Sequence, residues 1–310
     1  MSLQQEAFAA SSIKKAVVTG GNGFVGSSLV ARLVKMGVEV HALANENHQK
    51  LDALLLPDQI HELSTGAQSA AEVVLKVEPD SIFHLAAVYA EPRSVESALS
   101  MIQGNFTLGT CLLHASTEIP NRPVFVNTGT YWQFNESGAY EPNTLYAATK
   151  QAFQDILVFY HRRMGVRSTS LALYDTFGPH DDRGKLWQRL TTAPAGSRIS
   201  LSSGVQRLQL VHIEDVIDAF IHATGLLRTT VALEEIYAVR GDEFLTLRDF
   251  VEEYNKRTGN RLTLGWGEHP AWEGQIFSPW RGSCLPGWKP SLDTMSELIS
   301  MTTQHKEDLR

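Results

Sequence analysis

The run Thr19-Gly20-Gly21-Asn22-Gly23-Phe24-Val25-Gly26 constrains this chain more than any other stretch. Residues 14–19 before it have the β-branched content of a buried strand, and residues 24–36 after it repeat apolar side chains at helical spacing. Gly20 permits a tight turn at positive φ. Gly23 lets a backbone approach a pyrophosphate without a Cβ in the way, and Gly26 lets the helix pack close to the strand. The helix end opening at Phe24 and Val25 presents amide N–H groups and a partial positive charge to phosphates. Strand, glycine turn and helix in that order turn a weak spacing motif into an expectation of dinucleotide binding.

The alternation continues along the chain. Strands are expected at 38–43, 81–87, 124–127 and 167–173, with helical stretches at 97–116 and 146–164. Strands alternating with helices imply a doubly wound α/β fold with a parallel sheet covered on both faces, of the Rossmann type. From about residue 176 the pattern loosens into Gly- and Pro-rich stretches with several tryptophans, including Trp187, Trp266, Trp272, Trp280 and Trp288. The expected division is 13–175 for the dinucleotide-binding domain and 176–310 for a smaller substrate-binding lobe, with segments of the latter returning to the former. Residues 1–12 read as a loose tail.

The end of the second strand decides between NAD and NADP, because a carboxylate there holds the ribose hydroxyl and an arginine favours the phosphate. The chain has Ala44-Asn45-Glu46-Asn47-His48. Glu46 is a candidate reader of the ribose, a solvated loop acid is the plain alternative, and the residues leave the cofactor open.

Tyr146 and Lys150 open the long helix at positions i and i+4, on one face. Asn143 or Thr144 can cap that helix. A free phenol titrates near 10, too high for easy proton exchange. A neighbouring ammonium and an oxidised nicotinamide would favour the phenolate, so Tyr146 can serve as general acid toward a carbonyl oxygen.

Together with HLAA (84–87), GNFTLGT (104–110), VNTGT (126–130), FGP (177–179), IEDV (213–216) and LPGWKP (285–290), these motifs run in one order over nearly the whole chain. In that order they resemble the extended short-chain dehydrogenases/reductases that act on nucleoside-diphosphate sugars, the NAD-dependent epimerase/dehydratase family. The resemblance implies a catalytic Thr128 with Tyr146 and Lys150. Its cofactor wall would include Leu85, Ala86 and Ala87 with Asn105, and the fold would form a homodimer through the helices near 97–116 and 146–164. A narrower likeness in spacing points to the CDP-paratose and CDP-abequose synthases, which reduce a 4-keto group. It implies an NAD(P)H-dependent reductase of a nucleotide-activated 4-keto-deoxysugar, with hydride to C4 and Tyr146 as general acid. NADP(H) is slightly favoured for such a reductase, and no metal is needed. The dehydratases of the family carry Asp-Glu after the catalytic Thr, whereas this chain has Gly129-Thr130. A nucleotide-sugar 4-epimerase and a reductase of a non-nucleotide carbonyl are the alternatives.

Substrate contacts are expected from Tyr89, Thr130, Lys185 and Arg281. Thr130 also competes with Thr128 as the catalytic hydroxyl, and Tyr131-Trp132 is a second aromatic candidate. One departure bears on the substrate. The family's Arg-Asp before the IEDV segment is here Leu208-Gln209, and Arg207, one residue early, points to the opposite face of a strand. His180-Asp181-Asp182 is an unconvincing metal cluster in a loop.

The formal net charge is −7, which gives no reason to expect nucleic acid as a partner. Two cysteines, Cys111 and Cys284, lack any disulfide or zinc spacing. No apolar run approaches the ~20 residues that cross a bilayer. A cytoplasmic enzyme with a small-molecule substrate and no membrane contact is the expectation.

Overall fold

β1 (Lys15–Thr19) is apolar at Ala16, Val17 and Val18, and all three are fully buried. A strand this dry must be covered on both faces, and the chain supplies the cover by alternation. In the computed structural model the described residues are 13–308 except 46, 64–65, 91–93, 230–234, 243–244, 260 and 272–273. The expected tail at 1–12, the ribose reader Glu46 and Trp272 lie outside the described residues.

After β1 come α1 (Phe24–Lys35), β2 (Glu39–Ala44), α2 (Gln49–Asp52), β3 (Ile60–Glu62), α3 (Ala67–Val77) and β4 (Ser81–His84). α4 (Val95–Ile102), a π-helical turn (Gln103–Thr107) and α5 (Leu108–Glu118) lead to β5 (Val124–Thr130), α6 (Leu145–Met164) and β6 (Ser168–Leu173). The rest is β7 (Asp175–Phe177), α7 (Leu186–Thr192), β8 (Arg198–Ser200), β9 (Leu210–His212), α8 (Ile213–Thr229), β10 (Ile236–Val239), α9 (Leu247–Arg257), β11 (Thr263–Gly265) and α10 (Thr294–Asp308).

A 7-stranded sheet runs β3-β2-β1-β4-β5-β6-β10, with every pair parallel. The fold is the expected doubly wound α/β sheet. Its strand order reverses between β1 and β4, and the crevice at the carboxyl ends of those strands is where such sheets bind ligands. One large core lies under α1 and α8, where Phe220 meets Phe83 edge-on at 6.4 Å. A second lies under α3, α5 and α6.

Three element boundaries differ from expectation. β4 stops at His84 rather than Ala87, because the hydroxyl of Thr19 accepts the N–H groups of Leu85 and Ala86 and draws them off the ladder. β5 continues past Asn127 to Thr130, because pairing with β6 persists to Thr130 opposite Leu173. The helix expected at 97–116 starts at Val95, capped by the Ser94 hydroxyl, and is broken by the π turn.

Beyond β6 the chain builds two small parallel pairs, β7 with β9 and β8 with β11. With α7, α9 and α10 they enclose a third core around Trp187, Phe250, Tyr254 and Leu298. α8 and β10 belong to the large sheet instead, β10 pairing with β6 at its edge. No helix among the described residues is long and apolar enough to cross a membrane.

Gly26 is where this packing is tightest: a Cβ there would lie 2.0 Å from the Gly20 carbonyl oxygen. Gly26→Ala therefore lowers the melting temperature and abolishes its rise on adding a nicotinamide dinucleotide. Gly225→Ala on α8, where a Cβ meets nothing within 4 Å, leaves both intact in the same thermal-shift assay.

Candidate active site

The glycine turn holds its shape by its own backbone. Gly20 sits at φ +68, and a Cβ on it would meet the Ala86 amide nitrogen at 2.8 Å. Gly23 is the N-cap of α1, no side chain caps that helix, and no acid stands in its first turn. The amides of the first turn are thus left for an anion. Phe24 is buried and anchors the helix start, and Arg183 lies over its ring at 4.5 Å.

Thr19 ties the turn to the wall after β4. Its hydroxyl accepts from Leu85 N (3.1 Å) and Ala86 N (3.0 Å) and lies 2.9 Å from His84 Nδ1. With two amides donating, the hydroxyl's own proton goes to Nδ1. Burial, with the charge of Lys150 as the lesser cause, pushes His84 down to about 3, so its ring stays neutral. Asn105, on the π turn, is fully buried. Its side-chain oxygen accepts from Val88 N (2.7 Å), and its amide donates to Val88 O (2.8 Å) and to the Thr149 hydroxyl (3.0 Å). It thereby fixes the segment after Ala87 against α6.

α6 begins at Leu145 because the Thr144 hydroxyl caps it, accepting from Ala147 N at 3.1 Å, and it ends at Gly165 in the left-handed region. Tyr146 and Lys150 share its inner face, with Lys150 Nζ 6.0 Å from the centre of the Tyr146 ring. Tyr89 meets that ring edge-on at 5.6 Å and Trp132 at 6.3 Å, while Tyr89 remains 58% exposed. Tyr146 keeps some accessible surface, yet burial pushes its phenol up to about 12. The sequence led us to expect the neighbouring ammonium to lower it. In the protein alone desolvation outweighs that effect, and the phenol is a proton donor at neutral pH. Lys150 is 1% exposed, and burial pushes its ammonium down to about 8.

Thr128 and Thr130 project from one face of β5, two residues apart. The Thr130 hydroxyl is used as a cap, accepting from Trp132 N at 3.3 Å. The Thr128 hydroxyl is buried and has no hydrogen-bond partner, as does Lys150 Nζ. Two orphaned polar atoms at the carboxyl end of the sheet, with a bare glycine turn and helix end, fit a nicotinamide dinucleotide with a carbonyl compound beside it.

The rim is built by the loop after β5 and the start of β7. The Tyr131 ring stacks on Tyr174 at 4.5 Å, and its hydroxyl donates to Asp175 Oδ2 at 3.4 Å. Burial raises the carboxyl of Asp175, while the charges of Lys185 and Arg183 act in the opposite direction. Lys185 is exposed at the N-cap of α7, and Arg281 is exposed after Trp280. Asp175 and Trp280 were missed as site residues. An acid inside the apolar run LALYDTF was the available signal for the first, and nothing in the sequence marks the second.

Arg207 is exposed, its backbone N donating to Phe277 O at 2.8 Å, whereas Leu208 packs against the third core and Gln209 is buried. Asp181 is held by Arg183 through paired contacts of 2.7 and 2.8 Å, and Asp182 by Lys50 at 2.9 Å. Among the described residues no three His, Cys, Asp or Glu side chains converge as metal ligands.

A family model described as the NAD dependent epimerase/dehydratase family matches residues 16–236. A CDP-abequose synthase of Yersinia pseudotuberculosis is 28% identical over 255 residues, which is 82% of this chain and 88% of that protein. An ADP-L-glycero-D-manno-heptose-6-epimerase of Brachyspira hyodysenteriae is 22% identical over 78% of this chain and 87% of its own. In structure, the UDP-glucose 4-epimerase of Thermus thermophilus in complex with NAD superposes with a TM-score of 0.74 at 21% identity, covering 94% of this chain and 99% of that one.

The shift of Lys150 from 10.5 to about 8 corresponds to roughly 3 kcal/mol against its buried charge. The unfolded chain binds this proton up to higher pH than the folded chain, so this group's penalty is full below about pH 8 and fades as pH rises toward 10.5. Lys150→Met therefore melts higher than the wild type at pH 7 without added cofactor, and its advantage shrinks across that window. Equal melting curves at both ends would exclude a buried, unpaired ammonium.

Proposed function

The chain belongs to the NAD dependent epimerase/dehydratase family, and from that premise we propose that it is an NAD(P)H-dependent reductase of a nucleotide-activated 4-keto-deoxysugar. The observation that carries the reading is the half-buried phenol of Tyr146 beside the unpartnered ammonium of Lys150, with the unpartnered hydroxyl of Thr128 at the end of β5. A bound nicotinamide supplies hydride-transfer chemistry, and the glycine turn, Leu85, Ala86, Ala87 and Lys150 are the residues that would hold it. Thr128 donates a hydrogen bond to the substrate's carbonyl oxygen. Tyr146 gives that oxygen a proton as negative charge gathers on it. The ammonium of Lys150, in a site of low dielectric, steadies the phenolate that remains. The aromatic edges of Tyr89 and Trp132 face the sugar, and Lys185 and Arg281 answer the charge of a diphosphate.

Elimination is disfavoured on this frame. Gly129 carries no acid, and a side chain there would crowd Gln133 Oε1 at 3.1 Å. The Thr130 hydroxyl is already committed to its cap. The likeness to the CDP-abequose synthase supports reduction over epimerisation. The surroundings of β2 support NAD over NADP. His48 stands there between Asp52 (2.9 Å) and Glu62 (3.5 Å), and a 2′-phosphate would meet those two carboxylates. Leu208, packed against the lobe's core, and the buried Gln209 favour a substrate without a nucleotide.

The test is consumption of NADH or NADPH with CDP-, UDP-, GDP- and dTDP-linked 4-keto-6-deoxyhexoses. Stoichiometric consumption with one of them is expected. Interconversion of epimers without net consumption would replace the reading with the epimerase. Oxidation only with nucleotide-free carbonyl compounds would replace it with the other alternative. Tyr146→Phe is expected to lower kcat by ~10²–10⁴-fold with dinucleotide affinity retained.

A homodimer is part of the proposal. Val95 (77%), Leu99 (53%) and Ile102 (42%) expose one apolar stripe along α4, and Phe159 on α6 is 51% exposed. Sedimentation should show a dimer for the wild type and a monomer for Leu99→Glu. A monomeric wild type would refute the interface.

A further inference from the structure

Trp280 lies in the C-terminal lobe, far along the chain from Tyr146, yet it is fitted to the loop that follows β5. Its ring packs against Phe134 with centres 4.4 Å apart. Gly138 sits at φ +86 with room for no side chain, since a Cβ there would lie 2.9 Å from the indole nitrogen. Gly282, two residues on in the same segment, meets the six-membered end of the ring, where a Cβ would lie 2.3 Å from it. The Trp280 carbonyl accepts a hydrogen bond from the Tyr174 hydroxyl, and Tyr174 stacks on Tyr131 beside the catalytic pocket. At the start of the same segment, Asn143 near the cap of α6 donates to Gly274 O at 3.0 Å.

A half-buried indole fitted against Phe134 and Gly138 of another segment is a docking contact with a shaped socket. We propose that Trp280 is a positioning residue: it latches segment 274–282 onto the loop after β5 and so holds Arg281 against the nucleotide end of the substrate. The inference rests on the proposed nucleotide-sugar reading for its ligand, but not for the latch. The latch's contacts are with the loop after β5 and Tyr174, and none is with the glycine turn or α1. Loss of the indole loosens the lobe's wall while the dinucleotide cradle stays whole.

The experiment compares wild type, Trp280→Ala and Trp280→Phe in the full chain. Trypsin cleavage after Arg281 reports the latch. Calorimetric titrations with NAD, and separately with CDP, UDP, GDP and dTDP, report the two halves of the site. Trp280→Ala is expected to be cleaved about tenfold faster or more, as a locally opened segment is. It should also bind the preferred nucleoside diphosphate at least about tenfold more weakly, with NAD affinity within about twofold. Trp280→Phe should restore most of both, since a smaller ring still fits the socket. Unchanged cleavage in Trp280→Ala overturns the latch. Parallel losses of NAD and nucleotide affinity overturn it too, as general loosening of the fold. If no nucleoside diphosphate binds the wild type, the nucleotide-sugar reading and the assigned role of Arg281 both fall, while the cleavage rates still decide whether the segment is latched.

Discussion

The hydroxyl of Thr19 holds the site open. It sits fully buried at the point where the sheet reverses, and it binds the His84 imidazole and two amides that would otherwise be free to continue the β4 ladder. Without it Leu85 and Ala86 would extend the strand across the crevice. With it they turn aside, and the close approach of Gly20 to Ala86 follows. A single side chain thus converts a parallel sheet, whose strand ends have no intrinsic shape, into a slot with a floor and a wall. The neutrality of His84 is part of the same device, because a second charge beside Lys150 would oppose burial of both.

α6 packs Phe153, Leu157 and Tyr160 into the second core, and polar groups fix its register. Asn127 donates to the Ser170 hydroxyl at 2.8 Å, Ser170 donates to Gln154, and Gln154 donates to Glu235 O at 3.2 Å. Gln133 joins the loop after β5 to Gln151 at 2.8 Å, and Asn105 joins the π turn to Thr149. Each bond is worth only about 0.5–1.5 kcal/mol net, but an unmatched buried amide costs more than a matched one gains. Apolar packing tolerates a helix sliding by a fraction of a turn. A set of buried amides admits one register, and Tyr146 and Lys150 inherit it.

What could be read in the sequence is what depends on neighbours in sequence. The glycine turn, the i, i+4 pair on α6 and the long buried strands announce themselves through spacing and β-branched runs. Which of Thr128 and Thr130 keeps an unpartnered hydroxyl could not be read that way, since it turns on Trp132 N reaching one and not the other. The break in the helix at 103–107 holds Gly104, but its position there follows from Asn105 serving Val88 on a remote segment. The C-terminal lobe was opaque for a different reason. Its strands β7, β8, β9 and β11 are three residues each, too short to show alternation, and their partners are remote in the chain. The protonation of Tyr146 depends on how deeply α6 is set, which no motif encodes.

The carboxylate of Asp215, at the start of α8, accepts from Ser291 N (2.9 Å), the Ser291 hydroxyl (2.8 Å) and Leu292 N (3.2 Å). It is 2% exposed, and the hydrogen bonds that satisfy it come from a segment 76 residues further on. During synthesis, the strands that cradle a dinucleotide leave the ribosome long before that segment does. Until it arrives, water takes the place of those donors on Asp215 at the start of α8. The cofactor half is thus complete in sequence before the segment around Ser291 closes the seam.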